Sequence, residues 1–217
     1  MTVDERYLCN VRSWIRLHPD GFIKAYPPRQ VNNLYFDDPN FSCYNANLSG
    51  VGDRRKLRLR WYGDSMVRVQ GTLELKCKSN QLGWKEYCPI PAPLDLSNIN
   101  WGELLKVLRT YADDRFKHWL SEFDRPTLIN CYMREYYETL DGQIRATVDH
   151  NPLVWDQVMY ARPNLFAGTP QEQLVVLEIK SEASMHRRVS NVLSSFPSPV
   201  SRNSKYVAGV ARAFCFT

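Results

Sequence analysis

Charged residues, most of them cations, recur at every second position in five short segments of this chain. The segments are residues 56–60, 74–78, 132–134, 145–149 and 175–180. A β-strand sends successive side chains to opposite faces, so each segment, as a strand, would carry its charges on one face and its apolar residues on the other. The sheet built from these strands would have one strongly cationic face. Such a face predicts a polyanionic ligand, and a phosphate chain in particular.

A sheet face that is simply solvated would show the same alternation, and this alternative applies to each segment taken alone. Two features favour an enclosed cationic surface instead. The apolar alternates, such as Leu57, Leu59 and Trp61, are large and need helices to cover them. The charged alternates repeat one sign, which costs repulsion unless an anion binds. They are Lys56, Arg58, Arg60, Lys76, Lys78, Arg134 and Arg145. We therefore expect an α+β fold in which a curved sheet closes into a barrel, with helices outside and cations inside.

Two carboxylates share the predicted cationic faces. Glu74 stands two residues before Lys76, and Glu178 stands two residues before Lys180. A carboxylate beside phosphates can hold Mg²⁺ or Mn²⁺, which commonly bind one or two carboxylates together with phosphate oxygens. A salt bridge to the neighbouring lysine is the alternative for each residue.

Composition narrows the class of protein. With 217 residues and 44% hydrophobic content, the chain can form a single domain over residues 1–217. The net charge of +5 is mild for a nucleic-acid binder. The six cysteines form no CxxC pair, which favours free thiols in a reducing compartment. No stretch is long and apolar enough to cross a bilayer, so we expect a soluble, cytoplasmic chain.

Local patterns predict the elements that carry the charges. We expect strands at residues 2–11, 30–36, 54–62, 68–78, 128–138, 143–149 and 174–181. Residues 100–123 follow helical spacing, as one helix or as two joined near residues 112–114, with Asn100 and Glu103 as a capping box. Further helices are expected near residues 189–196 and 205–213, and a loop is expected over residues 151–173.

Six of these stretches, in order, resemble motifs of a known family. They read YPPRQVNNLYFD (26–37), RKLRLRWYG (55–63), LELK (73–76), YMR (132–134), VLEIK (176–180) and SKY (204–206). The family is the VTC domain, the polyphosphate-polymerase domain of the vacuolar transporter chaperone complex, in the triphosphate tunnel (CYTH-like) superfamily. The resemblance implies an antiparallel eight-stranded β-tunnel with helices packed outside. It also implies binding of polyphosphate or triphosphate together with Mn²⁺ or Mg²⁺.

The resemblance and the strand parity together assign roles to individual residues. The catalytic candidates are Arg58, Arg60, Lys76, Arg134 and Arg145. The phosphate-binding candidates are Arg6, Lys56, Lys78, Tyr132, Lys180, Arg202, Ser204 and Lys205. The metal-ligand candidates are Glu178 and Glu74.

One motif departs from the family pattern. The family's first strand carries Glu-x-Lys before an aromatic residue, and the matching stretch here is Asp4-Glu5-Arg6-Tyr7. Arginine replaces a point charge by a planar fork, and the shorter Asp4 has less reach towards a metal. This departure makes catalysis less firmly implied than binding.

The leading functional hypothesis is transfer of the γ-phosphate of ATP to a polyphosphate chain. Two alternatives stay open: hydrolysis of tripolyphosphate or nucleoside triphosphates, and polyphosphate binding without catalysis. Nucleic-acid binding is disfavoured, because the parity places Trp61 on the face opposite Arg58 and Arg60. The expected partners are ATP and polyphosphate or tripolyphosphate. Any coupling to a membrane would require a membrane-protein partner.

Overall fold

The computed structural model describes residues 1–80, 82–171 and 174–214. The helices are α1 Leu8–Leu17, α2 Ser42–Leu48, α3 Trp101–Tyr111, α4 Asp114–Glu122, α5 His186–Ser194 and α6 Lys205–Phe214. The strands are β1 Thr2–Asp4, β2 Phe22–Asp37, β3 Arg54–Tyr62, β4 Arg68–Val69, β5 Thr72–Ser79, β6 Leu82–Pro89, β7 Leu94–Asp95, β8 Arg125–Thr139, β9 Ile144–Asp156, β10 Thr169–Pro170 and β11 Leu174–Ser181. Short 3₁₀ turns precede α1 and α5, at Glu5–Tyr7 and Ala183–Met185. Among the described residues, none of the helices is long and apolar enough to span a bilayer.

A nine-stranded sheet confirms the predicted α+β class with a large antiparallel sheet. Its hydrogen-bonded order is β1-β11-β9-β8-β2-β3-β5-β6, with β10 paired to β9, while β4 and β7 form a separate ribbon. The order begins at β1 and ends at β6, so within the described residues the hydrogen bonding does not close into the expected barrel of eight strands. The strand at the first end is short, because the chain leaves β1 for a 3₁₀ turn after Asp4.

The chain divides into two compact units, each assembled from separate stretches. The first unit comprises Met1–Gln30, Tyr132–Pro152 and Pro170–Ser204. The second comprises Val31–Cys131, Leu153–Thr169 and the stretch that begins at Lys205. The strands β2 and β8 contribute successive parts to both units. A single domain over residues 1–217 stays a prediction.

The second unit has the helix-covered sheet that the sequence indicates. Leu57 of β3 pairs with Leu75 of β5, and Leu59 pairs with Leu73. These fully buried residues share one core with Trp61 and with residues of α3 and α4. The helical residues are Leu104, Leu105, Leu108, Phe116 and Leu120. Burial of this apolar face leaves the charged alternates of β3 and β5 on the opposite face.

The first unit repeats this arrangement with different helices. Ala146 and Val148 of β9 and Val175 and Leu177 of β11 are buried. The helices α1 and α5 contribute Val11, Ile15 and Val192 to the same core. The charged alternates of β9 and β11 therefore also lie on the face away from the helices.

The sequence patterns located several elements closely. Strands β3 and β11 have the predicted limits. The helical stretch is two helices, and the capping box of Asn100 with Glu103 is present at the start of α3. Of the cysteines, Cys9, Cys43, Cys77, Cys88 and Cys131 are free thiols, as expected. The sixth, Cys215, lies outside the described residues.

Other expectations were wrong. The strand predicted at residues 2–11 ends at Asp4, because the apolar residues Leu8, Val11 and Ile15 follow helical spacing and form α1. The strand predicted at residues 68–78 is interrupted, and β5 begins at Thr72. The loop predicted from residue 151 begins later, because β9 continues to Asp156. The sequence interpretation missed β6, whose residues are mostly exposed and show no apolar alternation.

Gly71, just before β5, has a structural reason to be glycine. A Cβ at this position would lie 2.8 Å from the carbonyl oxygen of Arg60 and 2.9 Å from Leu59 Cδ1. We expect Gly71→Ala to lower the free energy of unfolding by about 1–3 kcal/mol, because the neighbouring backbone of β3 must move. Gly83→Ala is the matched control, since a Cβ there meets a single atom at 3.7 Å. Urea unfolding of both variants measures the difference, and equal stabilities would contradict this account.

Candidate phosphate-binding faces

The second unit places the predicted cations of β3 and β5 together. Residues that oppose each other in an antiparallel pair point to the same face, and the register pairs Arg54 with Lys78, Lys56 with Lys76, and Arg58 with Glu74. We call this surface the β3–β5 face. The two strands bring to it six cations (Arg54, Lys56, Arg58, Arg60, Lys76, Lys78) and one carboxylate (Glu74). Every site residue predicted in β3 and β5 therefore belongs to one surface.

Glu74 lies between two arginines. The Nε of Arg58 donates to Glu74 Oε2 at 2.9 Å, and its Nη2 donates to the same oxygen. Arg60 Nη1 lies 3.7 Å from that oxygen. Burial alone raises the pKa of Glu74, but the charges of Arg58 and Arg60 outweigh burial and hold the pKa below its ordinary value. Glu74 is thus an ionised carboxylate paired with arginines, and its role as a metal ligand stays a prediction.

Lys56 lies in the most crowded part of the β3–β5 face. Its opposite neighbour on β5 is Lys76, and Lys76 in turn opposes Lys85 on β6. Burial, together with the charges of Lys76, Arg54 and Arg58, lowers the pKa of Lys56 to about 7. Near neutral pH this lysine therefore carries its charge only part of the time. A bound anion would favour the charged form.

Two residues of β2 contact the arginines of β3. Asn33 opposes Arg60 and Tyr35 opposes Arg58. The Nε of Arg60 donates to Asn33 Oδ1 at 2.8 Å, and Arg58 Nη1 donates to Tyr35 Oη at 3.3 Å. Asn33 Nδ2 donates in turn to Asn130 Oδ1 of β8 at 2.8 Å. The arginine side chains are therefore held by polar residues from neighbouring strands.

A buried network ties helix α6 to the same strand. Tyr206 stacks on Tyr35 with 5.0 Å between ring centroids, and its hydroxyl donates to Asp37 Oδ2 at 2.6 Å. Asp37 also accepts hydrogen bonds from the backbone N–H groups of Cys43 and Tyr44, at the start of α2. The residue after Lys205 thus anchors α6 to the polar side of β2.

The first unit contains a second charged face, formed by β8, β9 and β11. Arg134 makes a two-pronged contact with Asp149: Nε donates to Oδ1 at 2.6 Å and Nη2 donates to Oδ2 at 2.7 Å. The Arg134 guanidinium also lies 5.3 Å from the ring centroid of Tyr132. Register then places Arg145 opposite Lys180 and Thr147 opposite Glu178. The structure thus brings Tyr132, Arg134, Arg145, Glu178 and Lys180 into one group.

A divalent metal would need phosphate oxygens in addition to protein ligands. In the part of the chain that the structure describes, no three His, Cys, Asp or Glu side chains are grouped to hold a metal ion. Glu178 is half-exposed and contacts Lys180 at 3.3 Å. A single accessible carboxylate beside cations fits a metal that reaches the protein together with phosphate. Glu178 is the candidate ligand that suits this arrangement.

The remaining candidates lie outside the strands. Arg6 is in the 3₁₀ turn after β1 and is largely exposed, and its Nη2 donates to Asp4 Oδ2 at 3.0 Å. Arg202 is exposed and Ser204 is half-buried in an irregular segment. Lys205 is the first residue of α6. Asp4 and Arg6, which stand at the Glu and Lys positions of the family's first-strand motif, thus contact each other.

Sequence reasoning missed the buried polar residues beside the charged faces. These are Asn33, Tyr35, Asp37 and Asn130 of the second unit, and Asp149 as the partner of Arg134 in the first. A signal for three of them was present: Asn33, Tyr35 and Asp37 alternate with Leu34 and Phe36, so one face of β2 is polar. Asn130 gave no such signal, since it lies 97 residues from Asn33 along the chain.

Sequence comparison identifies the family. The VTC domain matches residues 9–214, which is nearly the whole chain, and the chain belongs to this family. The family is linked to polyphosphate synthesis. No curated protein matches the chain in sequence. Among solved structures, the PH1819 protein from Pyrococcus horikoshii OT3 matches 91% of this chain and 90% of its own, with 11% identity and a TM-score of 0.45.

The crowding of Lys56 has a consequence for stability. Folding lowers the pKa of Lys56 from 10.5 to about 7, so its charged form is destabilised in the folded protein. This cost is complete below pH 7 and disappears as the pH rises towards 10.5. We expect Lys56→Met, which keeps the apolar stem, to stabilise the ligand-free protein by about 1–3 kcal/mol at pH 6 and by less at pH 9.

Thermal unfolding at both pH values measures this effect. Lys106→Met, at an exposed position of α3, is the control for loss of one lysine charge. A lower Tm of Lys56→Met at pH 6, or a gain that is the same at pH 6 and pH 9, would contradict the crowding of Lys56.

Proposed function

We propose that this chain binds ATP and polyphosphate and transfers the γ-phosphate of ATP to a polyphosphate chain. The observation that carries the proposal is the composition of the β3–β5 face, where two paired strands present six cations and one carboxylate, Glu74. The cations are Arg54, Lys56, Arg58, Arg60, Lys76 and Lys78. Like charges in such register repel one another unless an anion lies among them. Membership in a family linked to polyphosphate synthesis supports a phosphate chain as that anion.

The proposed chemistry asks the protein for positioning and charge neutralisation. Phosphoryl transfer develops charge on the transferred group, and the attacking phosphate oxygen is already anionic, so no protein base is needed. Arg60 and Arg58 would bind phosphate oxygens, and Lys56 and Lys76 would offset their charge. A bound Mn²⁺ or Mg²⁺ would neutralise phosphate charge, and its proposed protein ligands are Glu178 in the first unit and Glu74 in the second.

The other candidates complete the proposal. Catalytic roles are also proposed for Arg134 and Arg145 of the first unit. Phosphate-binding roles are proposed for Arg6, Lys78, Tyr132, Lys180, Arg202, Ser204 and Lys205. The free thiols described above favour a reducing compartment, and we propose the cytoplasm.

A second candidate function is polyphosphate binding without catalysis. The specific observation in its favour is the contact between Asp4 and Arg6, in which Asp4 also accepts the backbone N–H of Arg6 at 2.9 Å. A carboxylate and a guanidinium that bind each other are less available to a metal and a phosphate. Binding by the β3–β5 face would be unaffected.

Incubation of the purified protein with ATP and Mn²⁺ or Mg²⁺ separates these functions. Products are resolved on a polyphosphate gel and tested for free phosphate. Long chains are the expected result. Orthophosphate alone would instead show a triphosphatase, and tight polyphosphate binding without either product would show a binding module.

Substitutions on β3 and β5 test the role of the β3–β5 face. We expect Arg60→Ala and Lys76→Ala each to lower kcat/KM by about 100-fold or more, because each removes a charge that would contact the transferred phosphate. Arg55→Ala is the matched control: it removes one arginine from the same strand, but its side chain points to the opposite face and lies over Trp119. Turnover near wild type in both Arg60→Ala and Lys76→Ala, with folding intact, would refute the proposed function.

A further inference from the structure

The two arginines at the centre of the β3–β5 face are held in chemically different ways. Arg58 is bound by the carboxylate of Glu74, which neutralises it. Arg60 donates from Nε to a neutral amide oxygen, Asn33 Oδ1, at 2.8 Å, and its Nη1 lies 3.7 Å from the Glu74 carboxylate. An amide oxygen can orient a guanidinium without cancelling its charge.

We propose that Asn33 is the positioning residue of Arg60: it fixes the guanidinium through Nε with a neutral acceptor, so this hydrogen bond does not itself cancel the positive charge. This inference rests on the proposed function, since it assigns a task to Asn33 within the same binding surface. Asn130 takes part by fixing the orientation of the Asn33 amide.

The hydrogen bonds have one consistent direction. Arg60 can only donate, so Asn33 must turn its oxygen towards Arg60 and its nitrogen away. That nitrogen donates to Asn130 Oδ1 at 2.8 Å. A flipped Asn33 amide would set its NH₂ group against the donor of Arg60 and its oxygen against the oxygen of Asn130. The pair of asparagines therefore determines a single orientation of Arg60.

Burial of these polar side chains costs free energy of desolvation, which their hydrogen bonds must offset. Asn33 is fully buried, Asn130 is 1% exposed and Arg60 is 7% exposed. A buried amide contributes to stability only when its hydrogen bonds are made, and an apolar residue would serve packing at lower cost. Asn33 also opposes Arg60 directly in the β2–β3 register, so its side chain reaches Nε without leaving its own strand. The position of Asn33 in the register, the direction of its hydrogen bonds and its burial all fit a role in orienting Arg60.

Two substitutions separate orientation from charge. Asn33→Leu has a similar volume and removes the acceptor, so Arg60 loses its fixed orientation. Asn33→Asp keeps an acceptor of the same shape but adds a negative charge that neutralises Arg60. We expect each to weaken tripolyphosphate binding by about tenfold.

The test is a double-mutant cycle with Arg60→Ala, read as the Kd for tripolyphosphate by titration calorimetry at constant ionic strength. If Asn33 acts through Arg60, adding Asn33→Leu to Arg60→Ala changes the Kd less than twofold. An equal loss in both backgrounds, or wild-type Kd in the single variants, would overturn the inference. Asn33→Ala, which also removes the acceptor, carries the cycle if Asn33→Leu does not fold.

The wild-type titration separates this inference from the proposed function. No tripolyphosphate binding by the wild-type protein would refute the proposed function, and the role of Asn33 with it. Binding by the wild type with unchanged affinity in both Asn33 variants would refute the role of Asn33 alone.

Discussion

Repulsion between like charges across β3 and β5 is the constraint on which the other features depend. The register sets Lys56 against Lys76 and Arg54 against Lys78, and this pairing is unfavourable in a protein without a ligand. The sheet tolerates the repulsion because the opposite face is a well-packed core, in which Leu57, Leu59 and their partners on β5 are fully buried. Packing of the apolar face thus stabilises the register, although charge repulsion on the other face destabilises it. The fall of the Lys56 pKa to about 7 is the local sign of this conflict.

The cations of the two charged faces lie in three kinds of environment. Arg58 and Arg134 are each bound by a carboxylate, Glu74 and Asp149 respectively, which reduces their charge and fixes their planes. Arg60 donates to an amide through Nε and lies further from the carboxylate of Glu74. Lys56 is held among other cations and loses part of its charge near neutral pH. A phosphate chain on the β3–β5 face would therefore meet cations that differ in charge and rigidity, although their spacing along β3 is regular.

The sequence predicted the features that depend on local alternation. Strand β3 has the predicted limits and the predicted parity, because a strand with one buried face must repeat every two residues. The same logic failed at residues 2–11, where Leu8, Val11 and Ile15 repeat with helical spacing. Local alternation also did not predict the role of Asn130, because its contact with Asn33 forms only when β2 and β8 come together in the fold. The charges of the site were thus readable from the sequence, whereas the neutral groups that hold them required the fold.

Calorimetric proton counting tests the central claim, that the cations of the β3–β5 face are crowded to receive a polyanion. Tripolyphosphate is titrated into wild-type protein and into Lys56→Met at pH 7.5, in buffers that differ in ionisation enthalpy. A polyanion among these cations must raise the pKa of Lys56, so the wild type should take up more protons per ligand than Lys56→Met, by a fraction of one proton. Equal proton uptake by the two proteins, or no binding by the wild type, would contradict the claim.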